Sequence, residues 1–217
     1  KLIGKIYPVF GICLIVMALG IAIGKIAISI TAAYAIVYFR FPGRELCFVL
    51  IFITLMMPVE VRIVPTFQVA ANLNFIDSYL GLVLPLIASA TATFLYRQMF
   101  MTIPAELLEA ARIDGSGEFH TFNHIVLPMI KPALAVQAIF TFVLEWNNYF
   151  VPALIISSSR KKTLPILIAQ LRSADFLKFD MGKVYMFIAI AIVPVIVVYL
   201  LLSRFIVAGV TVGGVKE

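Results

Sequence analysis

Apolar and polar positions fall into long blocks along this chain, and five apolar blocks stand out: residues 6–38, 46–64, 79–100, 132–156 and 184–207. A helix of about 20 apolar residues crosses a bilayer, so the last four have the length of single spans. The first is too long for one straight crossing, and part of it is expected to tilt or to lie at the interface. The breakers Pro42 and Gly43 mark a turn after the first block, and Pro58 breaks the second, which Pro65 follows. In lipid the backbone must bond to itself, which leaves helices or closed barrels. These runs lack the apolar/polar alternation of a barrel strand. The pattern predicts an all-α, polytopic membrane helical bundle of about five spans, residues 1–217 forming a single transmembrane domain.

Composition narrows the class. With 63% hydrophobic residues, 13% charged residues and a mean hydropathy of +1.08, a soluble globule is excluded. The net charge of +6 is scattered rather than gathered into an aromatic-flanked basic stripe, so nucleic acid is not an expected partner. Cys13 and Cys47 lie in apolar runs and read as small core residues. His120 and His124 stand four apart without the glutamate of a zinc-protease helix, and no metal site is expected. Gly20-Ile21-Ala22-Ile23-Gly24-Lys25-Ile26 imitates a phosphate loop, but its glycine spacing is short and Ile26 replaces the required hydroxyl. Gly20 and Gly24 instead form a G-x-x-x-G face for close helix packing. No catalytic constellation is present, and the chain is not expected to be an enzyme.

Between the third and fourth blocks lies a polar island, residues 101–131. Thr102 and Pro104 are helix-start signals, Glu106 and Glu109 suit the positive end of the helix dipole, and Arg112 suits its negative end. Leu107, Ala110, Ala111 and Asp114 follow helical spacing, which predicts that Leu107 and both alanines share one narrow face open to close approach. Gly115 and Gly117 would stop that helix. A second short helix over 118–123 would carry Phe119 and Phe122 on one side.

The string Glu109-Ala110-Ala111, Gly115 six residues after the glutamate, and Ile125-Val126-Leu127-Pro128 beyond it together resemble the cytoplasmic coupling loop of bacterial ABC-importer permeases. From about Gly24 to Gly115 the likeness narrows to the permease subunit of glycerol-3-phosphate importers, carried by residues 35–42, 57–62 and 88–95. Beyond Gly115 the chain resembles generic sugar permeases, as in Glu145-Trp146-Asn147-Asn148-Tyr149. The resemblance implies six helices, so the first is expected to be missing here and the chain to be a fragment. It implies that Glu109, Ala110, Ala111, Asp114, Gly115, Ile125, Leu127 and Pro128 contact an ATP-binding cassette subunit, and that Gly213, Gly214 and Lys216 form a tail reaching it. Further implied partners are a second permease subunit, a periplasmic or extracellular solute-binding protein and the lipid bilayer of the bacterial inner membrane. ATP would be bound on the partner subunit, with no cofactor in this chain.

Orientation does not follow from charge. With the island inside, seven basic residues (Arg40, Arg44, Arg97, Arg112, Lys131, Arg204, Lys216) face eight outside (Lys1, Lys5, Arg160, Lys161, Lys162, Arg172, Lys178, Lys183). Lys25, Glu60, Arg62 and Glu145 fall within or at the edge of apolar blocks, where charged groups face a bundle interior, a cavity or a partner. With Trp146, Asn147 and Asn148 they are the candidate lining of a translocation path, Lys25 and Arg62 suiting a phosphate-bearing solute. The competing reading, a secondary transporter or channel working without an ATPase, calls for internal repeats, and no convincing one is found.

Overall fold

The computed structural model describes residues 2–159, 161–172 and 181–213, and the elements among them are helices. Helix α1, Leu2–Tyr38, is one continuous helix of 37 residues. Its segment Gly11–Tyr38 and Val184–Ser203 of α12 (Met181–Gly213) are each long and apolar enough to cross a membrane. Two further spans result if each bent pair counts as one: Tyr79–Leu86 with Ala90–Met101, bent by 45°, and Glu118–Met129 with Lys131–Trp146, bent by 75°.

The second expected span is not one helix. It divides at Pro58 into α2, Arg44–Leu55, and α3, Val59–Asn72. A proline has no N–H to donate and disfavours helical geometry in the residue before it, and here Pro58 is extended (φ −56, ψ 144), so the helix divides there. At 12 and 14 residues, neither piece alone reaches the roughly 30 Å of a hydrocarbon core. Phe48 and Phe52 of α2 pack on Phe94 of α5 (Ala90–Met101), and the Arg97 guanidinium lies 4.1 Å from the Phe48 ring centroid. Cys47 faces outward on α2, whereas Cys13 is buried as expected.

Helix α1 is the axis of the bundle, packed along α5 and α9 (Lys131–Trp146). Its first half enters one core with Leu82, Phe142, Trp146, Ile155 and Phe187. Its second half enters another with Tyr96, Phe100, Leu108, Val126 and Ile130. The G-x-x-x-G face is used within the chain. A Cβ on Gly24 would stand 2.6 Å from Ile87 Cγ2, and one on Gly20 3.3 Å from Val83 Cγ2. The missing side chains let the end of α4 (Tyr79–Val83) and the residues after it lie directly on α1.

At the end of the bundle opposite the polar island, Asp77 ties two connections together. Its carboxylate accepts the backbone N–H groups of Ser157 and Ser158 at 3.2 and 3.0 Å, and its own N–H donates to Ile155 O. Lys161 donates to the Asp77 carbonyl oxygen and pairs with its carboxylate. The Ser158 N–H first, and Lys161 after it, hold the Asp77 carboxyl below the usual carboxylate range. A depressed carboxyl stabilises the fold above its unfolded-state pKa and loses that contribution as pH falls through the folded value. Asp77→Ala is accordingly expected to lower the thermal midpoint at neutral pH, and the gap to the parent should narrow as pH falls below the ordinary carboxylate range. A gap of constant size across that range would show that the charge holds nothing.

Candidate functional site

The polar island forms an elbow. The Thr102 hydroxyl bonds back to Met99 O at 2.7 Å, so it closes α5 instead of opening the next helix. Helix α6, Ala105–Ile113, starts behind Pro104 at its N-cap, without a side-chain bond. Its inward face is Leu108 and Ala111, both buried. Leu107 and Ala110 are exposed, so the two alanines do not share a face: Ala110 points out and Ala111 packs in. The reason is the core around Tyr96 and Phe100, which takes Leu108; Ala111, one turn on, is buried on the same side, and Leu107, Ala110 and Ile113 are left outside.

The end of α6 has two reversing bonds, Ser116 N–H to Ala111 O at 2.9 Å and Gly115 N–H to Arg112 O at 3.1 Å. Gly115 sits at φ +75, the left-handed conformation this closure requires. Helix α7 is short, Glu118–Thr121, and the expected helix over 118–123 gives way to a wide π turn at Phe122–Val126. The two phenylalanines consequently part: Phe119 is 81% exposed, while Phe122 packs edge-on to Tyr34 at 4.9 Å. Val126 is fully buried, Ile125 and Leu127 are half-buried and Pro128 is exposed. Helix α8, Leu127–Met129, then leads into α9. Ile113 is 85% exposed, so together with Leu107 and Phe119 the elbow presents apolar side chains on an otherwise polar surface (Glu106, Glu109 and Asp114 are also exposed). His120 and His124 stack at 4.1 Å, and among the described residues they join no group of three metal-ligating side chains.

The second feature lies inside the bundle. Lys25 Nζ donates to Glu145 Oε1 at 3.0 Å, joining α1 to α9, and Asn148 Nδ2 donates to the other carboxylate oxygen at 2.9 Å. The two charged side chains are only 12% and 8% exposed. Lys25 stands at the midpoint of Gly11–Tyr38 and between the two cores of α1. A lone charge at that depth costs several kcal/mol or more, and pairing is what makes this one tenable. Helix α9 ends at Trp146, freeing Asn148 to turn back onto the carboxylate. Trp146 is structural: its Nε1 donates to Ala191 O at 2.9 Å, it stacks on Phe142, and it fastens α9 to α12. Asn147 is exposed and its side chain closes the helix end on Val143 O. Arg62 is exposed on α3, away from the pair, and the Glu60 side chain lies outside those described. Gly213 ends α12, while Gly214 and Lys216 lie outside the described residues.

The family model for the binding-protein-dependent transport system inner membrane component matches residues 25–211. The chain belongs to that family. The permease is 52% identical over 203 residues, 92% of its length and 72% of the relative's, to the sn-glycerol-3-phosphate transport system permease protein UgpE of Yersinia pestis bv. Antiqua. It is 47% identical over 196 residues, covering 89% and 69%, to the protein of the same name from Rhizobium meliloti. Identity over 203 residues runs through both halves, so the likeness to glycerol-3-phosphate permeases does not stop at Gly115. A solved structure described as a bacterial ABC transporter involved in the import of the acidic polysaccharide alginate shares the fold, with a TM-score of 0.80 over 92% of this chain and 75% of the other at 23% identity.

Tyr34 of α1, on which the elbow packs, and Leu108 and the Arg112–Glu118 pair within the elbow escape a reading of the sequence. Leu108 has a signal, its three-residue spacing to Ala111. Tyr34 has none, since it lies 84 residues from Glu118, the residue it meets.

Proposed function

We propose that this permease forms the translocation path of an ATP-driven importer for sn-glycerol-3-phosphate. The observation that carries the reading is its 52% identity, across 92% of its length, to a permease named for that solute. The buried Lys25 supports it chemically, since an ammonium at the middle of the span can exchange the Glu145 carboxylate for a phosphate oxygen. Glu145 and Asn148 hold the cation when no solute is present. The Trp146 and Asn147 side chains bond elsewhere, to Ala191 O and Val143 O, and Arg62 is exposed on α3, so we assign the path to Lys25, Glu145 and Asn148.

ATP hydrolysis belongs to separate ATP-binding cassette subunits, which grip the elbow at Glu109, Ala110, Asp114 and Gly115. Ala111, Ile125, Leu127 and Pro128 support that surface from behind and carry it into α9. A tail from Gly213 through Gly214 and Lys216 completes the contact. A second permease subunit covers part of the outward apolar faces of α2 and α12, lipid covers the rest, and a solute-binding protein delivers the solute from outside the inner membrane. The permease, assembled with its operon partners in cells that take up neither solute, is expected to support uptake of labelled glycerol-3-phosphate and not of an oligosaccharide. Uptake of the oligosaccharide alone would overturn the substrate, and uptake without the ATPase subunits would overturn the mechanism.

A further inference from the structure

Glu118 has one carboxylate oxygen on each side of a boundary between two parts of the protein. Oε1 accepts from Arg112 of α6 at 3.2 Å, inside the elbow, and Oε2 accepts from the Tyr34 hydroxyl of α1 at 3.0 Å, inside the bundle. We propose that Tyr34 and Glu118 are the joint through which the elbow moves helix α1. The proposal rests on the reading of the elbow as the grip of an ATPase subunit.

Tyr34 is well placed for such a task. It is 7% exposed, and its ring is packed by Tyr38, Phe39, Phe100 and Phe122 at centroid distances of 4.9 to 6.0 Å. A displacement of its hydroxyl is therefore passed to α1 and not dissipated in side-chain rotation. The Tyr38 hydroxyl meanwhile bonds Phe100 O at 2.9 Å, tying the same end of α1 to α5. On the elbow side, Phe122 packs on the same ring and opens the π turn Phe122–Val126, which leads on towards α9. Glu118 is thus tied to α1 through one buried, closely packed side chain. Lys25 lies nine residues back along the same helix, about 14 Å along its axis. A pull at Tyr34 reaches Lys25 through continuous helix and shifts it against Glu145, which stands on α9.

The test uses the complete importer reconstituted in vesicles, with solute transport and ATP hydrolysis measured on the same preparation. Tyr34→Phe removes the hydroxyl alone, and Glu118→Ala removes its acceptor from a half-exposed position where folding is not threatened. A hydrogen bond to a charged group is worth enough to change an equilibrium about tenfold, so each variant is expected to raise the ATP consumed per solute moved by about that factor. The double variant should be no worse than either single one, and Glu118→Gln, which keeps an acceptor oxygen, should restore most of the coupling. A purely structural role would instead lower the yield of assembled complex with the ratio unaltered, and that result overturns the joint, as would additive effects in the double variant. Should ATPase subunits fail to co-purify with the parent complex, the elbow reading itself fails. Should they bind and hydrolyse while Glu118→Ala leaves the ratio at its parent value, only the joint is lost.

Discussion

Glu145→Ala is expected to abolish transport and to destabilise the bundle by about 3–5 kcal/mol, the cost of leaving a buried charge without its partner. The carboxylate meets Lys25 at 3.0 Å and Asn148 at 2.9 Å, and the charged pair is at least seven-eighths covered, so solvent is poorly placed to replace a lost partner. Lys25→Met should be milder, since the orphaned Glu145 still keeps the Asn148 amide. The double variant Lys25→Met, Glu145→Met separates fold from function. Replacing a buried pair by apolar side chains of similar volume is often neutral for stability or better. It should therefore recover the thermal midpoint while leaving glycerol-3-phosphate uptake at background. Recovery of uptake together with the midpoint would reduce the pair to a structural clamp and would remove the chemical support for a phosphate-bearing solute.

That experiment also marks how far the chain can be read without its fold. Lys25 and Glu145 were each conspicuous as charges inside apolar blocks, because the physics that penalises a buried charge acts on a single position. That they face one another could not be read, since they are 120 residues apart and the sequence holds no distance information across helices. Trp146, Asn147 and Arg62 were conspicuous for the same reason, yet a tryptophan N–H finds a carbonyl on α12, an asparagine closes its own helix, and an arginine stays at the surface. Polarity singles out residues that need a partner, whether the partner is a solute or a neighbouring turn. The long apolar helices were legible because length and hydropathy suffice for them. Their breaks were less so: Pro58 divides the second block outright, whereas Pro194 is carried within α12 as a continuous helix. Which proline interrupts depends on whether neighbouring helices satisfy the freed carbonyl, a property of packing.

The elbow was legible as an element and misread in its faces, which sharpens the expectation for Gly115. Gly115→Val should abolish uptake and cost the complex its ATPase subunits, while Gly117→Ala should leave both intact. The contrast is conformational and not steric: a Cβ at either position meets nothing within 4 Å, but Gly115 has φ +75 and Gly117 has φ −70. The left-handed conformation costs an L-residue roughly 1–2 kcal/mol, and more when the side chain is β-branched. Here the penalty falls on the two reversing bonds to Ala111 and Arg112. If they open, α6 loses its closure, Arg112 swings away from Glu118, and Leu107, Ala110 and Ile113 no longer form one surface with Phe119. Gly115→Asn should be the mildest substitution, since asparagine tolerates this conformation and does so elsewhere in the chain, at Asn74 with φ 56. The expected order of retained ATPase binding is therefore Asn above Ala above Val, measured by co-purification from membranes. Equal loss for all three, or loss at Gly117→Ala as well, would mean that the elbow binds through glycine-sized space instead of through the shape that the turn imposes.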